Sequence, residues 1–168
     1  ADPHHWKMMK RLTMLISGAL GVFWALAIVV LPGLGPQPFI PVNLALIYAF
    51  APGGLVLAAM IGVIATRRFF TDQIIDGAAP PLGSRAEIDQ RVLQNTVEQL
   101  VLAFCLWPFA AMQLGAVTLI ALGVSFAIAR LVFWIGYHIA PPLRTLGFAA
   151  SFYPTIFAAL WCFWRLST

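Results

Sequence analysis

The chain has 168 residues, of which 61% are hydrophobic and only 10% charged. Soluble domains carry about 25% charged residues, which excludes water as the main solvent for this chain. The formal charge of +4 does not point to nucleic acid, because the basic residues cluster at the ends of apolar runs; that pattern fits orientation in a membrane and binding of an anionic ligand.

Residues 1–11 read as an N-terminal tail. His4 and His5 sit beside Ala1-Asp2-Pro3 and are given no role. Leu12 to Leu31 is free of charge and follows Lys7, Lys10 and Arg11. Its 20 residues suffice to cross about 30 Å of hydrocarbon at about 1.5 Å per residue. A signal peptide competes, since Ala25-Leu26-Ala27 resembles a cleavage site. The apolar run is long for that role, however, and a membrane span is the favoured reading.

Gly33 to Pro41, rich in Pro and Gly, predicts a turn, so that residues 12–41 form one span and its connection. A second helix is expected from about Asn43 to Arg67-Arg68, bent at Pro52-Gly53-Gly54. Thr71 to Arg85 holds two aspartates among Gly and Pro breakers and reads as the one clearly polar loop. Ser84 with Glu87 three residues on is a capping-box signature that starts a third helix, running to about Met112 with a bend at Pro108. After a short link at Gln113–Ala116, a fourth helix reaches about Ile139. Pro141-Pro142 suits the first turn of a fifth, ending near Arg165.

The fold class is therefore all-α membrane protein with five spans. With the N-terminus in the cytoplasm, Lys7, Lys10, Arg11, Arg67, Arg68, Arg85, Arg91, Arg130 and Arg144 lie on or near the cytoplasmic side. Arg165 alone lies opposite, the asymmetry the positive-inside rule describes.

Several polar residues fall inside the spans, where an ionisable side chain costs about 2.5–3.5 kcal/mol on insertion scales. Arg91, Asn95 and Glu98 share a face of the third helix, with Glu98 about 10 Å deeper than Arg91. Arg130, Phe133, Trp134 and Tyr137 share a face of the fourth. His138 reads as an interfacial polar residue, and Trp134 and Tyr137 fit a membrane-interface aromatic belt equally well. Arg144 opens the fifth helix. Together, arginines from four helix ends and one submerged glutamate suit a small ligand with more negative than positive charge. Arginines would clamp its carboxylates, Glu98 would take an ammonium, and a cationic group near a thiol would favour the thiolate. Cys105 and Cys162 sit in apolar stretches and read as small buried hydrophobes. Neither a disulfide nor a metal site is expected.

The run Arg91-Val-Leu-Gln-Asn95-Thr-Val-Glu98 resembles the second-helix motif of the MAPEG family, the membrane-associated proteins of eicosanoid and glutathione metabolism. Ala129-Arg130-Leu-Val-Phe133-Trp-Ile-Gly136-Tyr137, followed by Arg144, resembles the family's third helix and the opening of its fourth. Ala65-Thr-Arg67-Arg68 resembles the end of its first helix. The resemblance runs from about Asn43 to Leu166 and implies that residues 42–168 form a MAPEG-like four-helix domain, preceded by an additional N-terminal transmembrane helix. It implies a homotrimer holding glutathione as co-substrate between subunits, near the cytoplasmic helix ends. Arg67, Arg91, Asn95, Glu98, Arg130 and Tyr137 would contact glutathione, Arg144 would stabilise its thiolate, and Arg68 would lie near the reacting centre.

Two positions depart from the family pattern. Phe133 stands where glutathione-binding members often have a tyrosine, and Gln99 where a tyrosine commonly follows the motif glutamate. The expected activity is a glutathione S-transferase or peroxidase acting on hydrophobic electrophiles or lipid hydroperoxides. The alternatives are a non-catalytic lipid-binding scaffold of the same family and a small transporter, for which no internal repeat is visible.

Overall fold

A computed structural model of the chain describes residues 3–139 and 141–168, and the described residues form five α-helices and no strand. The helices are α1 (Pro3–Leu34), α2 (Val42–Phe69), α3 (Arg85–Leu114), α4 (Ala116–Ile139) and α5 (Pro141–Ser167). All five are long and apolar enough to cross a membrane. A helix is the natural solution for such segments, because every backbone N–H and C=O is satisfied within the span.

Most boundaries follow local signals. Ser84 is extended at φ −72°, ψ 157°, and its hydroxyl accepts from the Glu87 N–H, as the capping signature predicts. The Glu87 carboxylate reaches one residue further back than a standard capping box, to the Gly83 N–H. The link between α3 and α4 is shorter than expected: Gly115 alone, at φ 78°, turns the chain in a left-handed conformation that favours glycine. Pro52 and Pro108 lie inside α2 and α3 without ending them. The N-terminal stretch read as a tail is helical from Pro3 onward. Lys, Arg and Met are good helix formers, so the charged stretch continues the helix outside the apolar span.

Small residues set the packing. α1 buries the stripe Ser17, Gly21, Ala25 and Val29, spaced four apart, and a Cβ on Gly21 would press into Ala149 and Tyr153 of α5. α2 buries Ala45, Ala49, Gly53, Val56, Met60 and Ile64. In hydrocarbon no hydrophobic force draws helices together, so close backbone approach through small residues carries much of the association. α4 lies at the centre, packed against α5, α2, α3 and α1. Trp107 of α3 fills one end of the core: it stacks on Phe50 at 5.0 Å, meets Phe126 edge-on and donates its indole N–H to Thr155. Large apolar side chains such as Phe23, Leu55, Phe104 and Met112 point outward at 68–77% exposure, the surface expected of a protein solvated by lipid.

The tightest crossing is at Gly123 of α4, where a Cβ would run into the backbone of Ala49. Gly123→Ala is expected to cost about 1–3 kcal/mol of stability by forcing α2 and α4 apart. Gly54→Ala, where nothing lies within 4 Å, should leave stability unchanged or slightly raised. Thermal unfolding of both variants in the same detergent checks the contrast.

Candidate functional site

The chemistry-bearing side chains gather at the end of the bundle where α2 closes, α3 opens, α4 closes and α5 opens. They form two centres. The first is built on Arg130, which is 0% exposed inside the protein. One terminal nitrogen donates to Asn95 Oδ1 of α3 at 3.0 Å, and the other donates to Ser151 Oγ of α5 at 3.2 Å. The guanidinium lies over the Phe133 ring, 3.9 Å from its centroid. Its Nε is the one buried side-chain nitrogen or oxygen without a hydrogen-bond partner among the described residues.

No carboxylate pairs with Arg130; the ion pairs found among the described residues are Arg67–Asp89, Arg91–Glu87 and His138–Asp89. The Arg130 charge is therefore held by neutral dipoles and a π-face, an arrangement that leaves part of its desolvation cost uncompensated.

From Arg130 a column of rings leads outward. Phe133 meets Tyr137 edge-on at 5.0 Å, and the Arg144 guanidinium lies over the Tyr137 ring at 4.9 Å. Arg130 and Arg144 are thus the two ends of one cation–aromatic stack, with Arg144 half-buried and accessible. Glycines permit it: a Cβ on Gly136 would strike the Leu143–Arg144 backbone, and one on Gly147 would strike the backbone of Ala129 and Phe133. α4 and α5 therefore touch along their main chains, which sets the height of Arg144 beside Tyr137.

The second centre was not legible in the sequence. Asp89 of α3 is 2% exposed and accepts from three donors: Arg67 Nε of α2 at 2.5 Å, Trp134 Nε1 at 2.7 Å, and His138 Nε2, which lies 2.7 Å from the same oxygen as the indole. One carboxylate ties α2, α3 and α4 together. His138, read as interfacial, and Trp134, read as a belt residue, both belong to this cluster. Arg67 engages Asp89, with 34% of its side chain still exposed.

Glu98 is the main correction. It is exposed, accepting only from Gln94 at 3.2 Å, and is not a submerged acid inside the bundle. Arg91 is exposed as well and pairs with Glu87 one turn earlier on α3. At about 100° per residue, Asp89, Val92, Thr96, Gln99 and Ala103 form one stripe, and these are the residues α3 buries. Arg91 and Glu98 lie on nearly the opposite side, and Asn95 at the edge of the buried stripe, where it reaches Arg130. The structure of the single chain thus brings together Arg130, Asn95, Tyr137 and Arg144. It places Arg67 beside them in the Asp89 cluster, and leaves Arg91, Glu98 and Arg68 exposed on the outside. Cys105, read as buried, is exposed on the outer side of α3, while Cys162 is buried as expected.

A five-span helical bundle with its polar side chains gathered at one end defines a multi-pass membrane protein. A model of the MAPEG family matches residues 44–164, from the start of α2 almost to the end of α5, and the chain belongs to that family. The match leaves out α1, in keeping with an added N-terminal helix. No curated protein and no solved structure matches the chain significantly.

Asp89→Asn keeps the shape of the side chain but removes the charge opposite Arg67. It is expected to destabilise the protein by about 1.5–3 kcal/mol, the worth of hydrogen bonds to a charged group, because Arg67 is partly exposed and keeps some solvation when its partner is neutral. Asp76→Asn, exposed in the loop between α2 and α3, should cost no more than about 0.5 kcal/mol. Denaturation midpoints in one detergent compare the two directly.

Proposed function

We propose that the chain is a membrane-embedded, glutathione-dependent transferase or peroxidase acting on hydrophobic electrophiles or lipid hydroperoxides. In this reading it works as a homotrimer with its site at the cytoplasmic end of the bundle. Family membership supports the class, since the family includes glutathione transferases and peroxidases alongside non-catalytic members. The observation that carries the proposal is the Arg130 guanidinium, fully buried, without a counter-ion, and with an orphaned Nε. A positive charge so placed favours an anionic guest nearby. Glutathione, with two carboxylates and one ammonium, has the charge balance the site lacks.

Each residue then has a part. Arg130, at 0% exposure, acts by its field and by orienting Asn95, whose remaining amide hydrogens face the guest. Tyr137 and Arg144 form the accessible end of the stack. Arg144 stabilises the thiolate by placing a guanidinium beside the sulfur, which lowers the thiol pKa. Arg67 retains terminal N–H groups for a carboxylate, because Asp89 engages its Nε. Glutathione supplies the nucleophilic sulfur, and the bilayer supplies the electrophile in dissolved form.

The outer face of α3 supports assembly. Arg91, Gln94 and Glu98 are exposed on the single chain within a membrane-spanning helix. A carboxylate facing hydrocarbon carries the insertion penalty given above, so this face is covered by a neighbouring protomer. Arg91, Glu98 and Arg68 thereby reach a site shared between subunits.

A second reading, a lipid-binding member without catalysis, is favoured by Phe133 and Gln99. Phe133 offers no hydroxyl, and both side chains are buried. One titration separates the readings. Glutathione added to the purified protein is expected to release heat and produce the ultraviolet absorbance of a thiolate, with the absorbance lost in Arg144→Ala. No heat at millimolar glutathione overturns the enzyme, and binding without thiolate points to the scaffold.

A further inference from the structure

A cavity of about 320 Å³ lies between α1, α4 and α5, lined by Leu20, Trp24, Ser125, Ala129, Leu146 and Ala150 among others. It is a feature of this chain and not of the family core, because α1, which supplies Leu20 and Trp24, lies outside residues 44–164. Two anchors hold α1 in place. Gly21 packs directly against Ala149 and Tyr153 of α5, and the Trp24 indole donates to Ser125 of α4 at 2.8 Å. Beside those anchors the wall of α4 and α5 includes Ala129, Gly147 and Ala150, which are too small to fill the space.

The lining states what can enter. It contains no charged residue. Its two polar side chains, Trp24 and Ser125, are already bonded to each other. Nothing remains to bind a carboxylate, an ammonium or a phosphate. Depth agrees: Ser125 lies nine residues into α4 and Trp24 thirteen residues into the apolar stretch that begins at Arg11, or about 14 Å and 20 Å along their helices. No headgroup resides at that level. Apolar cavities of about 150 Å³ stay dry and accept apolar guests, and this one is about twice that size. Leu20 and Ile128 are 51% and 52% exposed, so the cavity opens sideways at the surface of the bundle.

We propose that α1 completes a binding pocket for a hydrocarbon chain, separate from the arginine site and independent of its proposed chemistry. Two sources share that chemistry, the acyl tail of a membrane phospholipid and a free fatty acid dissolved in the bilayer.

The test is photolabelling of the full chain in phosphatidylcholine vesicles. The probe is a fatty acid with a mid-chain diazirine or, in a second arm, a phosphatidylcholine bearing the same chain. Adducts on Leu20, Ala129 and Ala150 are expected to saturate with probe and to be competed by the unlabelled compound. Adducts on outward residues such as Leu55 and Val101 should rise linearly as bulk lipid contacts. Ala150→Phe and Val132→Phe fill the cavity from two sides, and each should reduce the saturable adducts several-fold at unchanged thermal unfolding. Saturation in one arm identifies the source, and either supports the pocket. Linear labelling at Ala150 in both arms overturns it, as does saturable labelling that survives in both well-folded filled variants.

Discussion

Inside this bundle a buried guanidinium is held by neutral side chains, with no acid paired to it among the described residues. Arg130 belongs to α4, but the groups that make it tolerable come from elsewhere: the Asn95 amide from α3, the Ser151 hydroxyl from α5, and the Phe133 ring one turn along its own helix. Each must sit at hydrogen-bond or ring-contact distance, because an unmet polar group here costs far more than it would in water. The mutual placement of α3, α4 and α5 follows from that requirement. The glycines at 136 and 147 meet it by letting α4 and α5 approach to main-chain contact.

The two polar centres differ in balance. Asp89 is fully engaged, by an arginine, an imidazole and an indole, and only Arg67 of the cluster keeps donors to spare. Arg130 has a deficit, with neutral partners and one nitrogen left over. A complete cluster contributes mainly to holding helices together, whereas an incomplete one is a place where a guest gains binding energy. The arrangement puts the rigid element beside the receptive one and links them through adjacent residues of α4, Phe133 and Trp134.

Much of this was readable from residues alone, for a physical reason. The number of spans, the Ser84 cap and the Pro141 helix start are local effects, decided within a few residues, and they fell where the pattern put them. Three motifs in order were enough to indicate the family. The inward face of α3 was not readable. Arg91, Asn95 and Glu98 form the more charged stripe, and in a membrane protein polarity invites an inward assignment. The bundle instead buries Asp89 with Val92, Thr96, Gln99 and Ala103. Asp89 drew no notice since its partners Arg67 and His138 are 22 and 49 positions away. A pairing across three helices leaves no periodic trace. Cys105 was misassigned for the same reason: an apolar stretch reports that a residue avoids water, not whether lipid or protein surrounds it.

The single-residue connection at Gly115 gives the α3–α4 pair the mechanics of tongs. The two arms are pinned at one tip by the peptide chain itself, and at the far tip the Asp89 carboxylate grips Trp134 and His138. Neither arm can slide lengthwise past the other while both tips are closed. The lengthwise register of α3 against α4 is therefore fixed from both ends, one of them the end where the arginines stand. The same two ties hold Asn95 of α3 level with Arg130 of α4.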